Sequence, residues 1–191
     1  MAEQKTNYFI HESSYIDDNV KIGSGTKVWH FCHILSGTKI GKNCSFGQNV
    51  MAGPDVIIGD GCKIQNNVSL YKGVILEDGV FCGPSMVFTN VTTPRSEVNR
   101  QNEYSQTLVR KGVTIGANAT IVCGHELGEY SFIAAGAVIT KNVIPHALMA
   151  GVPAKQIGWG AHSGEILGED LTCPRTGDSY EVVSNGLQRK P

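Results

Sequence analysis

Every sixth residue from Ile10 to Phe88 is apolar, fourteen positions in succession, beginning Ile10, Ile16, Ile22, Val28 and ending Leu70, Leu76, Cys82, Phe88. Neither an amphipathic helix nor an alternating strand has a period of six. A second register, four residues after each of these, carries small or medium-sized side chains such as Ser14, Val20, Thr26, Cys32, Thr38 and Cys44. The beat resumes at Val109 and continues through Ile115, Ile121, Leu127, Ile133 and Ile139. A repeat this short cannot bury its own apolar face, so successive repeats must stack into a solenoid. The pattern predicts an all-β chain in which each hexad is a short strand and a turn. Three hexads close a triangular coil, so residues about eighteen apart stack at the parallel-strand spacing of roughly 4.8 Å. Gly23, Gly41, Gly47, Gly59, Asn66, Gly83, Gly116 and Gly128 read as turn residues with positive φ.

Between the two runs of the beat, residues 94–108 (PRSEVNRQNEYSQTL) are polar, begin with Pro and carry no repeat. A long excursion from a regular scaffold is read as a functional loop. The solenoid is expected over 10–159, with a polar tail at 160–191. That tail is expected to form a short hairpin turning at Gly177-Asp178. Its TCPRTGDSYEVV segment resembles half of a zinc ribbon, but Thr176 stands where a second cysteine is needed, so no metal is assigned.

Net charge is −1 over 191 residues, which implies no general nucleic-acid or membrane partner. No apolar run is long enough to span a bilayer and no signal-peptide core opens the chain, so the chain reads as cytoplasmic. Of six cysteines, Cys32, Cys44 and Cys62 fall on the small inward register and Cys82 on the main one. They read as reduced core residues. His125 also falls on the small register and reads as buried. Cys123 reads as a turn residue and His33 as a surface one.

The hexad pattern resembles the hexapeptide-repeat left-handed parallel β-helix, and the handedness comes with that resemblance. The ending ITKNVIPHALMAGVPAK is similar to the closing signature of the hexapeptide-repeat acyltransferases. GTKVWHFCHI, KIQNNVSLYKGV and EDGVFCGPSMVFTNVTTPRSE resemble, more specifically, the sugar-nucleotide N-acetyltransferases of bacterial surface-polysaccharide (lipopolysaccharide O-antigen) pathways. The resemblance covers about Ile10 to Trp159. It implies a homotrimer with sites between subunits, acetyl-CoA as co-substrate, and acylation of the 3-amino group of a UDP-linked 2-acetamido-3-amino-2,3-dideoxyglucuronic acid. It also implies that Ala117, Ala134, Ala135 and Gly136 line the pantetheine path. Val152 and Pro153 belong to the closing element, and Lys141 and Lys155 meet CoA phosphates.

Stacking arithmetic places His30, Gln48, Asn66 and Pro84 in one outward column, a ladder of hydrogen-bonding groups for a sugar nucleotide. Asparagine at turns is also ordinary in solenoids, so Asn66 has a plain structural alternative. Asn90, just before the loop, is expected to face the same groove and to orient the acceptor amine or polarise the thioester carbonyl. Arg95 and Arg100, with Arg110 and Lys111 beyond, supply positive charge for a diphosphate and a carboxylate. Tyr104 reads either as stacking on uracil or as packing the loop onto the coil. His30 is the candidate base, and the leaving thiolate is the other possible proton acceptor. The competing readings are a 4-amino or differently nucleotide-linked acceptor, a β-helix carbonic-anhydrase-like zinc enzyme, and a non-catalytic scaffold.

Overall fold

The computed structural model describes residues 7–191. Its regular structure is strand throughout, and most strands are two residues long. Phe9–Ile10, Tyr15–Ile16 and Lys21–Ile22 form the first coil, and Lys27–Val28, His33–Ile34 and Lys39–Ile40 the second. Lys27 pairs with Ser45, His33 with Met51 and Lys39 with Ile57, all in parallel. Three sheets of nine, seven and six strands result. They are the first, second and third faces of a prism, and its edges are named first (between faces one and two), second (two and three) and third. No helix among the described residues is long and apolar enough to cross a membrane.

The two-residue strand explains the period. Its first residue points out and its second points in, so Lys27 is exposed and Val28 buried. The core is one stack of inward residues, with Val28, Ile34, Phe46, Ala52, Ile64 and Leu70 fully buried. Each such aliphatic or aromatic side chain contributes roughly 1.5–3 kcal/mol on burial. Ile10, Ile16 and Ile22 are only partly buried because they belong to the first coil, the open end of the stack. At the other end Ala147–Gly151 and Ala154–Trp159 pair antiparallel and close the prism.

The small inward register also carries hydrogen bonds. Thr26 Oγ1 donates to the Gly41 carbonyl at 2.9 Å, and the thiols of Cys32, Cys44 and Cys62 point to the carbonyls of Gly47, Gly59 and Glu77 at 3.0–3.1 Å. Each partner lies fifteen residues on. Small side chains with a donor fit there because they both fill the corner and satisfy a carbonyl that water cannot reach. All six cysteines are buried and free.

The turn glycines do a different job from the one expected. Gly23, Gly41, Gly47, Gly59, Gly83, Gly116 and Gly128 lie outside the left-handed region. Glycine is required at Gly116 because an added Cβ would stand 2.5 Å from the Ala135 nitrogen of the next coil. The left-handed residue comes two positions later, as at Asn43 (φ 55°), Asn49 (φ 60°) and Gly61 (φ 68°).

Val74 pairs with Thr107, 33 residues on, where neighbouring coils pair eighteen apart, so fifteen residues are extra, as the broken beat implied. The excursion leaves after Val87–Phe88 and returns at Thr107–Val109. It disturbs the corner above it. Cys123 is buried and His125 only half-buried, the reverse of the expected pair. The Cys123 N–H donates to Thr89 Oγ1 at 2.9 Å and the Gly124 N–H to the Gln106 carbonyl at 3.1 Å, both in the excursion's base. Those two bonds draw residue 123 inward.

The tail has its own small core of Ala161, Leu167, Cys173, Tyr180 and Leu187. The chain turns at Gly177, where Thr172 and Ser179 form an antiparallel bridge, the Cys173 N–H donates to the Asp178 carbonyl at 2.8 Å and the Gly177 N–H to the Cys173 carbonyl at 2.9 Å. A longer hairpin follows, joining Tyr180–Val183 to Gly186–Arg189 with its turn at Ser184-Asn185.

Candidate active site

The excursion folds back on itself. The Ser105 N–H donates to the Asn90 carbonyl at 3.0 Å and so ties its neck, and the Glu103 N–H donates to the Arg100 carbonyl at 2.9 Å. The result is a hollow of about 510 Å³ lined by Asn90, Arg95, Arg100 and Tyr104 with intervening loop residues. Four of the residues singled out in the sequence are therefore neighbours around one cavity, on the second edge of the prism.

Their states differ. Asn90 is half-buried where the strand ends, which restrains its side chain better than the fully exposed loop tip would. Arg100 is half-buried, its Nη1 2.6 Å from Glu103 Oε2, while its buried Nε has no hydrogen-bond partner among the described residues. Tyr104 is 37% exposed. Arg110 does not join this group. Its guanidinium is held by Glu77 at 2.9 Å and Glu126 at 2.7 Å on the third face. Those two carboxylates push its already high pKa up further.

The His30 column lies on the first edge, after strands of the first face. Asn90 follows a strand of the second face, so the two are on different edges of one chain, and the groove expected to hold both is not formed within a single chain. They also differ in height. His30 is in the second coil and Asn90 in the fifth, a separation of about 14 Å along the prism at the usual strand spacing. The His30 ring lies against His11, centroids 3.6 Å apart. Gln48 is exposed. Asn66 Oδ1 accepts the backbone N–H of Gln48 at 2.8 Å, so half of that amide is committed to joining coils.

Above Pro84 the first edge becomes bare. Ala117 is half-buried, Ala135, Gly136 and Gly151 are exposed, and nothing lies within 4 Å of the position a Cβ would take on Gly136. Such a rail lets a slender ligand approach the backbone closely. Ala134 is half-buried, with its N–H given to the Met149 carbonyl at 2.8 Å. Val152, Pro153 and Lys155 are exposed at the closing hairpin, and Lys141 is exposed on the second edge two coils above Asn90. His33 lies on the second face, its Nε2 2.8 Å from Asp17 Oδ1, and that bond lowers the aspartate's pKa. His30, His33 and His125 are not brought together in one chain.

Two stretches, 19–54 and 37–72, match the family described as bacterial transferase hexapeptide (six repeats), and 111–141 matches the hexapeptide repeat of succinyl-transferase. The dTDP-3-amino-3,6-dideoxy-alpha-D-galactopyranose 3-N-acetyltransferase of Aneurinibacillus thermoaerophilus is 38% identical over 159 residues, covering 83% of this chain and 82% of that protein. The chain belongs to the hexapeptide-repeat sugar-nucleotide N-acetyltransferases. It is thus an acetyl-CoA-dependent acyltransferase built on the left-handed β-helix of that family. A hexapeptide transferase family protein from Anaplasma phagocytophilum shares the fold with a TM-score of 0.57 and 20% identity, over 82% of this chain and 86% of that one. The bifunctional protein GlmU of Thermoanaerobacter pseudethanolicus is 28% identical, but this acetyltransferase chain spans only 42% of its length.

Proposed function

We propose that this N-acetyltransferase acylates the 3-amino group of a nucleotide-linked amino sugar, the UDP-linked 2-acetamido-3-amino-2,3-dideoxyglucuronic acid being the acceptor its residues suit best. The observation that carries the reading is the hollow that gathers Asn90, Arg95, Arg100 and Tyr104. An amide at its base and two guanidinium groups in its wall match an amine to be acylated beside a diphosphate and a carboxylate. The 3-amino position is favoured over the 4-amino one by the name of the Aneurinibacillus relative. The product is assigned to bacterial surface polysaccharide, as the sequence resemblance implies, and the enzyme to the cytoplasm, where acetyl-CoA is supplied.

The complete site is assigned to a homotrimer. The outward residues of the second face are Tyr15, His33, Met51, Ser69, Val87, Thr120 and Val138; none is Lys, Arg, Asp or Glu, and His33 is paired with Asp17. The other two faces carry Lys27 and Lys63, or Lys21, Lys39 and Glu126. An uncharged face is the one a second copy covers at least cost. The bare rail and the Asn90 hollow border this face on either side. Packing three copies on it sets the rail of one chain against the hollow of the next.

The heights agree with direct transfer. Ala117, Ala135 and Gly151 carry the pantetheine arm down from Val152, Pro153 and Lys155, and Lys141 meets a phosphate. The thioester then arrives near the fifth coil, at the level of Asn90. The sugar nitrogen attacks the carbonyl carbon, the C–N bond forms, and the tetrahedral oxyanion is met by the Asn90 amide. The C–S bond breaks, and the thiolate leaves with the proton shed by nitrogen. An amine of pKa about 8 is partly neutral near pH 7 and needs no strong base. His30 is about 14 Å from this level, so we assign it, with Gln48 and Asn66, to binding the acceptor.

The test is thiol release from acetyl-CoA with 3-amino and 4-amino UDP sugars, each with and without the C6 carboxylate. Rapid release with the 3-amino uronate alone is the expected outcome. Turnover of the 4-amino sugars instead would overturn the acceptor assignment and leave the family intact.

A further inference from the structure

Phe31 is the one residue on the first edge whose conformation and exposure both lack a structural cause. The left-handed corner positions of that edge above it are Asn49, Asn67, Ser85, Asn118 and Gly136. These are residues that tolerate positive φ or, as with serine, are small and polar. Phe31 takes the same conformation at φ 57° with a bulky ring, yet that ring is 62% exposed. Tyr130 shows what packing looks like in the same situation. At φ 53° its ring covers Gly112 and lies tilted against His162, centroids 3.7 Å apart, so packing offsets the strain. Phe31 has only a loose, tilted contact with His30 at 6.1 Å. Strain without packing points to use by a ligand.

The surroundings say which ligand. The Phe31 N–H is held by Ser13 Oγ at 3.0 Å, which fixes the ring's base. Beside it His30 is backed by His11 and parallel to Trp29, so the lower end of the edge presents a continuous set of π faces. No acidic group is part of that set. The patch is three coils, about 14 Å, below the level of Asn90. An extended nucleoside diphosphate sugar whose amine sits at Asn90 places its base on this stretch of the edge.

We propose that Phe31, flanked by His30, is the stacking platform for the nucleobase of the acceptor, and sets how tightly the nucleotide end is held. The inference rests on the sugar-nucleotide reading above. It moves the base away from Tyr104, which is left for the sugar.

Replacing Phe31 by asparagine, the residue type found at positions 49, 67 and 118, relieves the backbone and removes the ring. Binding of UDP, dTDP and GDP to wild type and Phe31→Asn is measured by calorimetry at fixed salt, together with CoA binding, melting temperature and oligomer mass. The expected result is a roughly 5- to 150-fold loss of affinity for whichever nucleotide binds, the equivalent of about 1–3 kcal/mol for a base on an aromatic ring. CoA affinity and oligomer mass stay unchanged, the melting temperature is equal or higher, and Phe31→Trp retains binding. Equal nucleotide affinity in Phe31→Asn overturns the platform while leaving the acceptor class standing. So does dissociation of the oligomer, which makes the ring a subunit contact. If wild type binds none of the three nucleotides, the sugar-nucleotide reading falls and the platform falls with it.

Discussion

Asn66 Oδ1 accepts the backbone N–H of Gln48, one coil below, at 2.8 Å. Asp60 Oδ1 does the same for the Lys42 N–H and Asp78 Oδ1 for the Asp60 N–H, both at 2.7 Å on the third edge. A carboxylate or amide oxygen at this place is therefore a general device for stitching coils, and it leaves only the Asn66 nitrogen free for an acceptor sugar. Asn66→Asp keeps the stitching oxygen and removes the donor. It should hold the denaturation midpoint within error and raise KM for the sugar nucleotide several-fold. Asn66→Ala should cost about 0.5–1.5 kcal/mol of stability, the usual worth of one hydrogen bond. A normal KM in Asn66→Asp would make this residue purely structural.

Asn90 is assigned to the transition state. Removing an oxyanion donor costs about 10²–10³ in kcat. Asn90→Ala is expected to fall in that range with KM for acetyl-CoA little changed and the oligomer intact by light scattering. A kcat within a few-fold of wild type would remove Asn90 from the chemistry.

Two glycines separate close approach from conformational freedom. A Cβ on Gly116 would meet the Ala135 nitrogen at 2.5 Å, while one on Gly61 (φ 68°) has nothing within 4 Å. Gly116→Ala should destabilise by about 1–3 kcal/mol, as overpacking does, and should lower CoA affinity because the rail above it shifts. Gly61→Asn should be nearly silent, since asparagine accepts that backbone. Urea midpoints in the reverse order would show the two roles to be exchanged.

This contrast also marks how far the sequence could be read. The beat at Ile10, Ile16 and Ile22 located the strands, the core and the fifteen-residue excursion, because inward burial is a periodic demand that each hexad repeats. The same period named the corner residues without saying which corner position is left-handed. Gly116 and Gly61 look alike in sequence, and only the distance to the next coil tells them apart. Asn90, Arg95, Arg100 and Tyr104 were legible as a group because the loop carries them together. The relation of His30 to Asn90 was not legible, since column arithmetic orders residues along an edge and does not relate one edge to another. Arg110 read as free charge because its partners Glu77 and Glu126 are distant in sequence. The strain at Phe31 was signalled by one letter, an aromatic residue where the period elsewhere on that edge puts Asn, Ser or Gly.

The closing tail should loosen in acid through His146. Its side chain is 4% exposed, Nδ1 lies 2.8 Å from the Gly160 carbonyl, and the ring stacks with Tyr130 and His162. The carbonyl contact puts the proton on Nδ1 and leaves Nε2 in the packed cluster, where a second proton has to be desolvated. Burial accordingly pushes the His146 pKa down, and burial with the neighbouring His146 pushes His162 down as well. Tyr180, whose ring meets His146 edge-on, and the Glu129, Lys111, Arg189 and Asp178 charges complete the surroundings. Both histidines bind protons more weakly folded than unfolded. Their contribution is thus fully present above the ordinary histidine value of about 6.5 and is lost as pH falls from there toward the depressed folded values. Melting temperature should decline below pH 6.5, with tail amides gaining hydrogen exchange before those of the coils. His146 is itself left-handed at φ 62°, so His146→Asn keeps the backbone and removes the buried titration. In that variant the acid decline should be shallower. An unchanged slope would place the acid sensitivity outside this cluster.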